Sequence, residues 1–281
     1  MSLVVNTNMS SMLTQRYLQN AGNSLSTSMQ KLSSGLRINS SADDAAGLSL
    51  SKKIGTQVSA SDVAKRNAQT GINMIQTAES DLGVIQDNLQ RMRDLAVQAA
   101  NGVYSTSERQ MLSREYTDRA NEINRIAASS SFSDRKLLNT NLAAGALVLQ
   151  VGTNNVAAED RIDISSVFKN FQAGQNSMPT VAGGISTVTN AQGAISLMDA
   201  AISSVSVTRS AMGATINRLQ GTISRIDTRK ENMASAQSTI QDTDIAYESA
   251  QMTKQSILKQ TATAMLQQAN QQPGLALSLL Q

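Results

Sequence analysis

The side chains that could carry chemistry in this chain are its carboxylates, because the 281 residues include no histidine and no cysteine. That absence removes a His/Cys zinc site, a Ser-His-Asp triad, a thiolate nucleophile and the HExxH motif of metallopeptidases. Acid–base catalysis by carboxylates would need two of them in one site with different titration behaviour. The 21 Asp and Glu residues are instead scattered at helical spacing, and nothing marks two of them as a matched pair. They read as solvated helix faces. No cofactor and no metal are expected, and neither is an enzyme.

The basic residues offer no alternative chemistry. The 24 Lys and Arg leave a formal net charge of +3, spread along the chain with no run that could track a phosphate backbone, so nucleic-acid binding is not expected. No stretch approaches the roughly 18 apolar residues of a membrane span. The start, MSLVVNTNMSSMLTQRYLQ, has neither a basic n-region nor an apolar h-region, so a cleaved secretory signal is not expected. If the protein leaves the cell, another export route must carry it.

What remains is architecture. Aromatic residues make up 2% of the chain and tryptophan is absent, so any core must be sealed by aliphatic stripes. The spacing predicts a first helix from about Asn8 to Ser34, with Leu18, Gly22, Leu25, Met29, Leu32 and Leu36 in steps of four and three. A linker follows around Gly35 and Asn39–Ala42. A long second helix, about Asp44 to Asn101, keeps two heptad series: Ala68, Ile75, Leu82, Leu89, Ala96, and Gly71, Ala78, Ile85, Met92, Ala99. That repeat predicts a coiled-coil seam.

Ser105 and Glu108 have capping-box spacing at the start of a third helix, whose face runs through Leu112, Tyr116, Arg119, Ile123 and Ile126. Alternation at Leu147, Leu149, Val151 and at Ile162, Ile164 predicts a β-hairpin. The Gly-, Ser- and Asn-rich stretch through residues 172–184 reads as loop. A fourth helix, about Asn190 to Ala236, repeats the heptads through Met198, Val205, Met212, Leu219, Ile226 and Met233. Ile195, Ile202, Ile216 and Ile223 supply its second series, interrupted by Arg209. A last helix, about Asp244 to Gln271, carries Met252, Gln255, Leu258, Ala262, Met265 and Ala269, and Pro273-Gly274 is expected to end it before the tail LALSLLQ.

The expected fold is mainly α: an elongated antiparallel coiled-coil bundle formed by the N- and C-terminal segments, with a small β-hairpin insert. It divides into residues 1–43 and 240–281 as an inner core, 44–130 and 190–239 as a coiled-coil shell, and 131–189 as a short β/loop surface insert. The two terminal helices each have one seam and no local cover, so they are expected to pair. A helix pair buries little against the roughly 1–2 kcal/mol per residue spent on ordering backbone. Their folding is therefore expected to be completed by polymerisation.

The segments SSGLRINSSADDAAGLSLS (Ser33–Ser51), NLQRMRDLAVQAANG (Asn88–Gly102), FSDRKLLN (Phe132–Asn139), STIQDTDIAYESAQMTK (Ser238–Lys254) and AMLQQANQQPGLALSLL (Ala264–Leu280) closely resemble the terminal regions of bacterial flagellins. The resemblance implies an extracellular homopolymer, the flagellar filament, that serves swimming motility. Its inner tube would be made by terminal helices with seams at Leu18, Leu25, Met29, Leu32 and Leu36 and at Leu258, Ala262, Met265 and Ala269. It also implies export through the flagellar type III apparatus without signal cleavage, an export chaperone on the C-terminal helix, and assembly with filament-cap and hook-filament junction proteins. The hook-filament junction protein shares the plan and is the alternative identity, but its relatives tend to have Asp-Asp-Pro where this chain has Asp43-Asp44-Ala45-Ala46-Gly47-Leu48. One departure from the flagellin pattern is Asp134, where a glycine often stands in the turn before the Leu-Leu pair.

At 100° per residue, Val84, Arg91 and Leu95 fall nearly opposite the Leu82–Leu89–Ala96 seam of the second helix, which makes Leu95 an apolar residue expected outside it. In flagellins detected by the vertebrate Toll-like receptor this surface is the binding site. The resemblance matches Arg91 and Leu95 to its central Arg and Leu, and Glu115 to its acidic partner, with Gln90 and Gln98 nearby. The same surface is expected to be covered by neighbouring subunits in a filament.

Overall fold

The computed structural model describes residues 7–139, 142–143, 145–172 and 184–278. In chain order the elements are α1 (Met9–Ser34), α2 (Ala45–Ala99), α3 (Thr106–Ser129), β1 (Ser131–Phe132), β2 (Arg135–Lys136), β3 (Val148–Gln150), α4 (Ala157–Asp160), β4 (Arg161–Asp163), α5 (Val188–Gln241) and α6 (Ile245–Ser278). The chain is mainly α, as its periodicity predicts. It divides into two compact units, one of Met1–Val58 with Glu231–Gln281 and the other of Ser59–Lys230. Most of the loop expected at 172–184, and the end of the apolar tail, lie outside the described residues.

In the second unit both heptad series of α2 are buried, from Ala68 and Gly71 to Ala96 and Ala99. On α5 one series is as expected as far as Ile226: Met198, Val205, Met212, Leu219 and Ile226 are buried, while Met233 is half-buried. The other is not the isoleucine series. Ala194, Ala201, Thr208 and Thr222 are buried, while Ile195, Ile202, Ile216 and Ile223 pack at the rim, half-buried. Small side chains take the buried positions of this series, and bulkier ones flank them.

Ion pairs along the margins mark a single antiparallel register of α2 and α5. Lys65 Nζ meets both carboxylate oxygens of Asp227 at 2.9 and 2.8 Å, Asp62 accepts from Lys230 at 2.6 Å, and Arg93 donates to Asp199 at 2.6 Å. Equal numbers of residues separate these pairs on the two helices, so there is no slip between them. Arg209, the polar interruption, reaches Gln86 at 2.8 Å.

The capping box of α3 is present, with Glu108 N donating to Ser105 Oγ at 3.3 Å and Ser105 N donating to Glu108 Oε2 at 2.7 Å. The expected hairpin is β3–β4, antiparallel with Leu149 opposite Ile162, and the short α4 lies between its strands. A second pair, β1–β2, was not signalled by alternation. Its two-residue turn, Ser133 and Asp134, has φ of 46° and 65°, the left-handed pattern of a tight hairpin turn.

The insert is also more than a surface loop. Leu137, Leu138, Val151, Ile162, Ile164, Val167, Phe168, Phe171 and Ile185 are buried in the same cluster as the seams of α2 and α5. A Cβ on Gly71 would run into the side chain of Leu149, so this seam glycine makes room for the hairpin.

In the first unit, Asn8 caps α1 by accepting from Ser11 N at 3.0 Å, and Gly35 ends the helix in the left-handed conformation, φ 72°. The linker is ordered by Asp43, whose Oδ2 accepts from Asn39 N, Ser40 N and Ser40 Oγ at 2.9–3.1 Å. Backbone bonds Arg37 N to Gln241 O, 2.7 Å, and Thr243 N to Gly35 O, 3.0 Å, join it to the α5–α6 connection. Asp244 then caps α6, accepting from Ala246 N and Tyr247 N.

The expected pairing of the terminal helices is present: α1 packs antiparallel against α6, with Asn8 near Ala269 and Leu36 bridged to Asp242. One boundary differs from expectation. Pro273 does not end α6, which continues to Ser278.

Candidate interaction surfaces

Two surfaces remain after the cores are closed. The first lies on the α1–α6 pair. Where these helices meet, most of the buried residues are small, Ala21 and Ser28 on α1 and Ala262 and Ala269 on α6, with Glu248 of α6 also buried. Each pair is spaced seven apart, a heptad that lets backbones approach.

Of the seam residues expected from the sequence, Ala262 and Ala269 lie at this contact and Leu18, Leu25, Leu32 and Leu36 are half-buried. Met29, Leu258 and Met265 are instead exposed. The pair therefore covers its narrow line of contact and leaves bulky side chains outside. Leu13, Tyr17, Leu258 and Met265 line an open groove of about 520 Å³ floored by Ala21 and Ala262, and Met9, Met12, Ile245, Tyr247 and Ile257 are exposed elsewhere on the two helices. Apolar side chains exposed together on this scale are of the kind that contact with another molecule buries. Ala21 and Ser28 each stand one residue before Gly22 and Met29, the positions that the spacing selects, so the buried line is shifted by one residue from the expected seam.

The second surface lies on α2 and α3. Arg91 and Glu115, matched separately by motif, are brought together: Arg91 Nε and Nη2 donate to Glu115 Oε1 and Oε2 at 2.9 and 3.1 Å. This two-pronged bond holds the Glu115 carboxyl below its ordinary range and the Arg91 guanidinium above its own. Arg119 adds a longer contact to Glu115 at 3.8 Å and donates to Asn88 Oδ1 at 3.3 Å. Gln90 and Gln98 are exposed on α2.

Leu95 departs from expectation, because it is fully buried. The reason is α3. Asn88 and Arg91, which bond to residues of α3, lie on the same side of α2 as Leu95 at helical spacing, so the side opposite the α5 seam is a second contact rather than open surface. Leu95 joins the core cluster with Tyr116 and Ile123.

No group of three or more acidic residues among the described residues could hold a metal ion, and no described helix is long and apolar enough to cross a membrane.

Comparison with known proteins meets these surfaces with a family. The model of the bacterial flagellin N-terminal helical region matches residues 5–143, and that of the flagellin C-terminal helical region matches residues 195–280. The chain is similar to polar flagellin F of Vibrio parahaemolyticus, 34% identical with all of both chains covered. It is also similar to the flagellar filament 33 kDa core protein of Treponema phagedenis, 38% identical over 99% of this chain and 100% of the other. A flagellin of Halalkalibacterium halodurans is 39% identical over the same shares. Among solved structures, a putative flagellar hook-associated protein from Vibrio parahaemolyticus aligns with a TM-score of 0.56 over 72% of this chain and 100% of that one, at 14% identity, a likeness of fold alone.

Proposed function

The chain belongs to the bacterial flagellin family, as a structural subunit of the flagellar filament and not an enzyme, and from that premise we propose how its surfaces are used. The exposed apolar face of the α1–α6 pair is the contact through which subunits form the inner tube, and burying it on polymerisation stabilises the terminal helices. The single observation that carries this reading is the groove lined by Leu13, Tyr17, Leu258 and Met265, apolar and open in one subunit. Residues 1–43 and 240–281 would then form the inner core, 44–130 and 190–239 the surrounding shell, and 131–189 the outward part.

In the same reading the subunit is exported through the flagellar type III apparatus. A chaperone covers the C-terminal helix before assembly beneath the filament cap, beyond the hook-filament junction proteins. The Arg91–Glu115 pair, with Gln90 and Gln98, is the surface that a vertebrate Toll-like receptor recognises on free subunits, and Leu95 supports it from beneath.

Leu13 and Leu258 decide the first point. Subunits carrying Leu13→Asp or Leu258→Asp are expected to retain the thermal transition of the second unit and to fail to extend filament seeds in electron micrographs. Normal seeded growth by both variants would remove the groove from the assembly contact.

A further inference from the structure

The chain has thirteen methionines and no cysteine or tryptophan, which leaves thioether sulfurs as its side chains most open to two-electron oxidation. Their placement is uneven. Met74, Met92, Met198 and Met212 are buried in the core of the second unit, where Met111 of α3 is exposed, whereas Met9, Met12, Met29 and Met265 are each more than half exposed on the α1–α6 pair. Met265 lines the apolar groove with Leu13, Tyr17 and Leu258. Met9 stands one helical turn before Leu13, on the same side of α1, and Met12 is its neighbour in that turn.

We propose that Met9, Met12 and Met265 form an oxidation site on the assembly face, where hydroperoxide-class oxidants convert the free subunit into a form that cannot polymerise until the sulfoxides are reduced. This rests on the filament reading above.

The step is balanced. A sulfur lone pair attacks the OH-bearing peroxide oxygen, the O–O bond breaks, an S–O bond forms, and the second oxygen takes up that proton and leaves as water, or as an alcohol from an organic hydroperoxide. Sulfur loses two electrons and the peroxide gains them. The product replaces a flexible apolar thioether with a polar, chiral sulfoxide, and burying that oxygen against leucine and tyrosine without a donor disfavours the contact. The core methionines are shielded, so the change falls on association and spares the fold of the second unit. In a filament the same face is covered, so assembled subunits resist.

Purified full-length subunits treated with dilute hydrogen peroxide provide the test, with sulfoxides mapped by peptide mass spectrometry and elongation followed on preformed seeds. Met9, Met12 and Met265 should oxidise at least about tenfold faster than Met198 and Met212, elongation should fall in step, and a methionine sulfoxide reductase should restore it. A triple variant with leucine at these positions, a substitution close in volume, should keep elongating after peroxide. Oxidised wild-type subunits that elongate at the untreated rate would overturn the proposal, as would a triple variant that loses elongation as fully as wild type. If that variant does not elongate even untreated, reductase treatment of oxidised wild type decides: recovery supports the site and no recovery overturns it. Untreated wild-type subunits that never extend seeds would instead overturn the filament reading itself.

Discussion

The side-chain amide of Asn8 donates to the backbone carbonyl of Ala269 at 2.7 Å. In an uninterrupted helix that carbonyl would accept from the N–H of residue 273, but residue 273 is proline and has none. Asn8 therefore supplies from α1 the hydrogen bond that α6 cannot make for itself, which helps to explain why α6 continues past a residue expected to stop it. The same side chain caps α1 through its oxygen, accepting from Ser11 N. One asparagine ties the start of one terminal helix to the end of the other.

Asn8→Ala should therefore weaken both ends together. Loss of the cap and of the bond to Ala269 should cost about 1–2 kcal/mol. Hydrogen exchange would show it as faster exchange at the first turn of α1 and near Ala269 in the same variant. Faster exchange at only one of the two places would separate functions that the geometry joins.

Leu95 stands one helical turn beyond Arg91 on α2 and is fully buried, so its substitution tests folding before it tests recognition. Leu95→Ala should destabilise the second unit by about 2–5 kcal/mol, as expected for a buried leucine, read as a lower urea midpoint. Leu95→Asp would bury a carboxylate as well, so loss of receptor response in that variant would not isolate a contact. Arg91→Ala and Gln98→Ala are the cleaner probes of the surface. A Leu95→Ala protein with wild-type stability would contradict the burial.

What the sequence made legible follows how far one spacing stands out from its neighbours. The α2 seams from Ala68 to Ala99, the Ser105–Glu108 cap and the Leu149–Ile162 hairpin were readable because strict spacing and recognisable residue types coincide there. Ala21, Ser28, Ala194 and Thr208 were not, because each stands one residue before the series that the spacing selects, Gly22 and Met29 on α1 and Ile195 and Arg209 on α5, and periodicity alone does not choose between adjacent series. Leu95 was misplaced for a different reason. Angular position on α2 identifies the side away from α5, but only the path of α3 determines whether that side meets water.

Asp134 holds φ at 65° in the β1–β2 turn, a region in which glycine avoids the Cβ penalty and aspartate is tolerated. Asp134→Gly should stabilise the second unit by up to about 1 kcal/mol, part of the relief being offset by the larger entropy of the unfolded chain. Thermal melts would register a small upward shift. A downward shift would mean that the Asp134 side chain contributes more to the turn than its backbone strain costs.

Tyr116 is buried on α3, and its hydroxyl has no hydrogen-bond partner among the described residues. Burial pushes its pKa up to about 12. Tyr116→Phe removes an oxygen that lost its water on folding and received no protein donor or acceptor in return, so stability should rise by about 1 kcal/mol. Urea titration of the variant reads this directly. A loss of stability would reveal a partner for the hydroxyl.

The Arg91–Glu115 pair makes stability depend on acid in one direction. Arg91 lowers the pKa of Glu115 from 4.5 on folding, so the unfolded chain takes up a proton at a higher pH than the folded one. The pair's contribution is present in full above the unfolded value and is lost as pH falls through the lower folded value. Asp62, held down chiefly by Lys230, and Glu122, held down chiefly by Arg125, act in the same sense. All of these groups are at the surface, where water and salt screen them, so each contribution is small. The second unit should accordingly melt at a nearly constant temperature from neutral pH to about pH 5 and at falling temperatures below about pH 4. Glu115→Gln should make that fall shallower, and high salt should do so as well. A melting temperature that rises on acidification, or a Glu115→Gln profile as steep as wild type, would show that the Arg91–Glu115 pair does not contribute to the acid response.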